Sequence, residues 1–162
     1  MTPLKTENLE LVLDNNIVHM SVSGPIAKES MDAGLDWIHQ IEEANDNFSL
    51  RVNMPEEDFN GLGQITQQFK RVGTVMRHAK SADKCAVMTD SAFLRNSARV
   101  EGSVIPGLEV RSFDLDETRP AERWLNNEPL IQAKDVEIEH SVSDENKSQN
   151  AWDNLNVKNL NL

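Results

Sequence analysis

Between Ile17 and Leu125 the apolar residues switch repeatedly between a strand period and a helix period, and that alternation leaves few folds open. Ile17-Val18-His19-Met20-Ser21-Val22 is a short strand-like run closed by Ser23-Gly24-Pro25. Met31, Leu35, Ile38 and Ile41 then fall at i, i+4, i+7 and i+10, one stripe along a helix predicted to end near Ala44. Residues 48–54 (FSLRVNM) return to a strand, which Pro55 stops because proline donates nothing to a ladder. Leu62, Ile65, Phe69, Val72 and Met76 mark a second helix. Residues 84–89 (KCAVMT) are apolar after the first, as in a strand covered on both faces. Ser91 is placed to cap a third helix over 92–100, which Gly102 ends, and 108–113 is the next strand. Asp116 is placed to cap a last helix through Trp124-Leu125, with Pro120 in its first turn, where a missing N–H costs little. Strands alternating with long helices imply right-handed crossovers and a mainly parallel sheet, so the fold class is α/β.

The N-terminus adds an antiparallel element. Leu9, Leu11 and Leu13 alternate with Glu10 and Val12, and Asp14-Asn15-Asn16 supplies hairpin turn chemistry before Ile17. The sum is a single domain over 1–127, with about five strands, one antiparallel edge strand and about four helices. Beyond it, 128–162 is an acidic, Asn-rich extension. Val136, Ile138 and Val142 have the spacing of one more edge strand, and 141–148 has the composition of a solvated linker. The last stretch is read as a loosely docked or disordered tail, with Trp152, Leu155 and Val157 as its docking residues.

Charge and cysteine content narrow the function. The 162 residues carry a formal net charge of −11, which opposes duplex nucleic acid and anionic membrane as partners. One cysteine excludes an internal disulfide and a Cys-built metal site. The first 25 residues lack a basic start followed by an apolar run, and no stretch approaches the roughly 20 apolar residues of a membrane span. The expected compartment is the cytoplasm.

The order and spacing of several segments resemble a known family. They are Ser23-Gly24 after the hairpin, Leu50-Arg51-Val52 leading into Asp58-Phe59-Asn60-Gly61-Leu62, and Asp83-Lys84-Cys85-Ala86-Val87-Met88-Thr89-Asp90. Val110-Arg111-Ser112-Phe113-Asp114 and Ala121-Glu122-Arg123-Trp124-Leu125 complete the set. Over about 8–126 the chain resembles the SpoIIAA-like family, a branch of the STAS fold grouped with CRAL-TRIO lipid-binding domains. STAS proteins of the anti-sigma-antagonist type carry a phosphorylatable serine in an Asp-Ser-Ser-Gly-Leu turn. Here Asp58-Phe59-Asn60-Gly61-Leu62 occupies that place without a hydroxyl, so the resemblance implies no phosphorylation switch there. The CRAL-TRIO grouping implies an apolar ligand held between helices and sheet, by analogy of fold alone.

No reactive constellation emerges from the residues. His19, His39, His78 and His140 sit on different elements without metal-ligand spacing. Cys85 lies in the most apolar strand and reads as a small core residue. Gly61-Leu62-Gly63 lacks the Gly-Lys-Ser/Thr ending of a phosphate loop and follows Glu56, Glu57 and Asp58. The carboxylates of Asp114-Leu115-Asp116-Glu117 are accounted for by helix capping. No metal and no cofactor is expected. Two surfaces remain as candidates. Phe59, Leu62, Phe69 and Phe93 lie near the carboxyl ends of strands, where open α/β sheets leave a crevice for an apolar ligand. Lys70, Arg71, Arg77 and Lys80, with His78, Lys84, Arg95 and Arg99 nearby, form a basic cluster that either meets an acidic partner or is a solvated helix face. The chain therefore reads as a non-catalytic binding or interaction domain, not an enzyme. It is expected to self-associate, as a dimer first, and to engage a protein partner or small apolar ligand. The alternative is a carrier or sensor of a small hydrophobic, lipid-like ligand.

Overall fold

The computed structural model describes residues 1–44, 47–102 and 105–128, the backbone alone for 98–102. The expected extension from 129 onward, including its edge strand at Val136, Ile138 and Val142, lies outside the described residues. Met1–Glu128 form one compact unit. Its strands are β1 (Leu4–Lys5), β2 (Leu9–Asp14), β3 (Ile17–Val22), β4 (Phe48–Asn53), β5 (Ala82–Met88) and β6 (Glu109–Phe113). Its helices are α1 (Lys28–Ala44), α2 (Leu62–His78), α3 (Ala92–Gly102) and α4 (Thr118–Leu125), with a 3₁₀ turn over Glu56–Asp58.

The sheet order follows the chain, β1-β2-β3-β4-β5-β6. β1 and β3 flank β2 antiparallel, and from β3 onward every neighbour is parallel. The hairpin turns on Asn15 and Asn16, whose φ values of 46° and 61° are the left-handed ones that a tight two-residue turn requires. β1 is an addition to the expected set. It pairs Leu4 with Leu11 and Lys5 with Glu10, and at two residues it is too short to carry a period.

Three successive right-handed crossovers in one direction put α1, α2 and α3 on the same face of the sheet. There Leu11, Val18, Leu50, Val52, Cys85 and Val87 meet Ile38, Ile41, Ile65, Phe69, Val72 and Leu94 in the main core. On α1 the buried face includes Gly34 and Trp37, with Met31 and Leu35 only half-buried. The sheet comes close at Gly34, where a Cβ would stand 3.2 Å from the Leu9 side chain. Trp37 donates its indole N–H to the Thr2 carbonyl at 2.9 Å and so ties down the edge beside β1.

α4 covers the opposite face over β5 and β6. Ala121, Trp124 and Leu125 pack on Ala86, Met88, Phe113 and Ile17 in a second cluster. The expected double coverage of β5 is thus met: Cys85, Ala86, Val87 and Met88 are all buried, alternately against the two layers. Away from Ile17 and Val12, that same face is polar over β2 to β4, with His19 of β3 in register with Arg51 of β4.

Two expected caps differ. Asp116 does not cap α4; Glu117 holds the N-cap position and its carboxylate turns back to accept the Asp114 N–H at 2.8 Å. Ser91 does begin α3, since its carbonyl accepts the Arg95 N–H at 3.1 Å. Its hydroxyl, however, has no hydrogen-bond partner among the described residues.

Candidate functional site

Parallel strands end at one edge of a sheet, so the loops after β3, β4, β5 and β6 gather at the carboxyl edge; because the strand order never reverses, the expected crevice of a switch point is absent among the described residues. These loops are tied to one another. The Met54 N–H reaches the Met88 carbonyl at 2.9 Å, and the Thr89 N–H reaches the Phe113 carbonyl at 3.0 Å. Asp90 accepts the Glu56 N–H at 2.8 Å, which joins the turn before α2 to the turn before α3. Arg95 pairs with Asp114 and joins α3 to the loop after β6. The loop after β3 is held from α2: buried Gln68 accepts the Ile26 N–H at 2.9 Å, and Arg71 donates to the Ile26 carbonyl.

The segment Asp58-Phe59-Asn60-Gly61-Leu62 lies on this edge. Phe59 turns inward, while Asn60, Gly61 and Leu62 face solvent. Gly61 takes φ 82°, a left-handed conformation that suits glycine, and its carbonyl accepts the Gln64 and Ile65 N–H groups of α2. The Asn60 N–H is accepted by Gln64 at 2.7 Å, so the turn is fixed from inside α2.

The four apolar candidates separate into two pairs. Phe59 and Phe69 are core residues. Leu62 and Phe93 are 56% and 42% exposed, each in the first turn of its helix, α2 or α3, at the carboxyl edge. Glu56, Glu57, Asp58 and Asp90 are exposed beside them. The edge therefore presents apolar side chains in an acidic frame.

The basic candidates do not form one surface. Lys70 and Arg77 are exposed on α2, with Arg77 donating to the Thr74 hydroxyl at 3.1 Å. Arg71 is turned to the Ile26 carbonyl. Lys84 lies on the other face of the sheet, where it donates to the Trp124 carbonyl at 2.9 Å and stands 5.2 Å from the indole centroid. Lys80 lines a cleft of about 380 Å³ between α1 and α2 with Leu35, Asp36, Ile38, His39, Glu42 and His78. Two of the dispersed histidines thus share one cleft, yet among the described residues no three His, Cys, Asp or Glu come together as a metal-binding group.

A second, polar cavity of about 170 Å³ opens between the hairpin tip and α4, lined by Asp14, Asn15, Ile17, His19, Glu122 and Asn126. Arg51 reaches Glu122 at 3.0 Å and the Thr118 hydroxyl at 3.4 Å next to it. Burial and the neighbouring Arg51 guanidinium push the His19 pKa below its usual range, against the opposing pull of Asp14 and Glu122. Both causes favour the neutral imidazole of His19. Cys85 behaves as its strand suggests: burial pushes its thiol up to about 12, and its sulfur lies 3.8 Å from that of Met76. It is not a nucleophile at neutral pH.

The Arg51–Glu122 pair and the buried Gln68 are polar features that pattern reading missed. Gln68 did carry a signal, as a polar residue beside Phe69 on the apolar face of α2. The Arg51–Glu122 pair, 71 positions apart, carried none.

Comparison with known proteins follows the same outline. A family model described as SpoIIAA-like matches residues 17–126. The structure is similar to that of an uncharacterized protein of the DUF3478 family from Shewanella loihica PV-4, a crystal structure with a SpoIIAA-like fold. The two chains are 14% identical with a TM-score of 0.52, over 75% of this chain and 98% of that one. At that identity the likeness speaks for the fold alone. No curated protein matches the chain. Among the described residues no helix is long and apolar enough to cross a membrane.

Proposed function

The chain belongs to the SpoIIAA-like family, and from that premise we propose that it is a non-catalytic interaction module that docks a partner on the carboxyl edge of its sheet. The observation that carries this reading is the exposure of Leu62 and Phe93, 56% and 42%, on the first turns of α2 and α3. Large apolar side chains set in a polar rim are what interfaces use as anchors. The surrounding Glu56, Glu57, Asp58 and Asp90 favour a partner segment that is apolar and basic, and they steer its approach. With Phe59 and Asn60 where the resemblance places hydroxyls, docking needs no phosphorylation at that turn.

Quantitative cross-linking from cell extract with the full chain and with a Leu62→Glu/Phe93→Glu variant tests the reading. Partner yield is expected to fall by about tenfold or more when both anchors become charged. Equal yield from the two chains refutes the docking edge. Turnover of a substrate by the purified chain, abolished when one polar side chain is replaced, refutes the non-catalytic reading.

The α1–α2 cleft favours a second reading, a carrier of a small hydrophobic ligand, because Leu35 and Ile38 offer it an apolar wall. Native mass spectrometry of freshly purified protein decides: a bound small molecule supports the carrier, and a clean apo mass counts against it.

A further inference from the structure

The two ends of the sheet are built differently. β1 closes one end with Leu4 and Lys5 alone; Pro3 precedes them, and exposed Lys5 pairs with Glu10 at 3.5 Å. Brevity, lysine and proline are the means by which an edge refuses another strand. β6 closes the other end with five residues, no proline, and a register against β5 free of irregularity. Among the described residues it has ladder partners on its β5 side only. The Thr89 N–H goes to the Phe113 carbonyl, and Lys84 to Met88 face Glu109 to Phe113 in order. That phase of a parallel ladder turns the main-chain groups of Glu109, Arg111 and Phe113 toward β5 and those of Val110 and Ser112 outward.

We propose that β6 pairs with β6 of a second copy of this chain, antiparallel and centred on Val110, so that two sheets continue as one. In that register Val110 of each copy donates to, and accepts from, Val110 of the other. The Ser112 N–H of each reaches the Leu108 carbonyl of the other; the Leu108 N–H is already held by Ile105 within its own chain. Between these bonds Glu109 faces Arg111 of the second copy at non-hydrogen-bonded positions, where side chains stand closest. Both side chains are exposed and opposite in charge. The neighbouring registers lack this match: centring on Arg111 opposes two guanidiniums, and centring on Ser112 sets Arg111 against Phe113. The pairing goes beyond the docking edge proposed above and does not depend on it.

Sedimentation equilibrium of the full chain over a range of concentrations tests the inference. The wild type is expected to show a monomer–dimer equilibrium. Glu109→Arg or Arg111→Glu, each reversing two symmetry-related pairs, should weaken it about tenfold, and the combined swap should restore it to within about threefold. Ser112→Pro removes a donor that only the dimer uses and should weaken association by about tenfold or more, with the melting of the monomer checked by circular dichroism. Arg111 also stacks at 5.2 Å on Trp124, so if Arg111→Glu fails to fold, Glu109→Arg and Ser112→Pro decide. A chain that stays monomeric, whether because the stretch around Val136 takes the edge or because nothing does, overturns the proposal. So does a dimer indifferent to these changes, or one lost with Leu62→Glu/Phe93→Glu.

Discussion

Thr89 and Ser91, both fully buried two residues apart, are predicted to respond to loss of the hydroxyl with opposite signs. The Ser91 N–H donates to the Thr89 hydroxyl at 3.1 Å, whereas the Ser91 hydroxyl has no partner among the described residues. A serine that begins a helix ordinarily contributes about 1 kcal/mol through its side-chain cap. Here the side chain caps nothing, and an unsatisfied buried hydroxyl costs about 1–3 kcal/mol of desolvation. Ser91→Ala removes that cost and leaves only a small void, so unfolding free energy should rise by about 1 kcal/mol. In a chain of this size that is roughly 2–4 °C in melting temperature. Thr89→Val keeps the shape but strips the Ser91 N–H of its acceptor and should lower stability by about 1–3 kcal/mol. Urea unfolding followed by tryptophan fluorescence reads both, with an unchanged slope required for the comparison. If Ser91→Ala lost about 1 kcal/mol, the hydroxyl would be satisfied in solution and the reasoning would be wrong.

The remaining predictions concern the core and the titrating groups. Leu50→Ala, in a central strand and fully buried, should cost about 2–5 kcal/mol by urea unfolding. Gln68→Leu should cost about 1–3 kcal/mol and speed amide exchange at Ile26, which loses its acceptor; unchanged exchange would argue against that bond. The Cys85 thiol is raised in the folded state, so its contribution is complete below its ordinary value of 9.0 and is lost as pH rises toward about 12. Cys85→Ala should therefore flatten the alkaline fall in stability over that window, and the native thiol should resist a thiol reagent until the chain unfolds. His19 is lowered, so its contribution is present above its ordinary value of 6.5 and is lost as pH falls below it. Its NMR midpoint should lie under 6.5 and climb in Arg51→Met, which removes one of the causes.

The fold was largely legible because its elements announce themselves locally. The Asn15-Asn16 turn, the 3-and-4 spacing of α2 and the apolar run of β5 each depend on residues next to one another in sequence. What escaped depends on tertiary partners. β1 exists because Leu4 and Lys5 find β2, not because two residues prefer an extended form. Leu62 has the spacing of the α2 stripe yet is exposed, because the stripe reaches the sheet only from Ile65 onward. The basic cluster looked continuous in sequence, but Lys84 belongs to a strand whose side chains alternate between layers and emerges on the far side.

Strands that lie in space in the order of their synthesis have a consequence for how the molecule is made. Each strand and crossover helix emerging from the ribosome finds its neighbour already in place, so the layers can be laid down one after another from the hairpin outward. Loop closure stays short at every step, which lessens the entropic handicap that slows most parallel sheets. Assembly of this kind leaves the newest strand as the growing end, and in the finished described unit that end is β6.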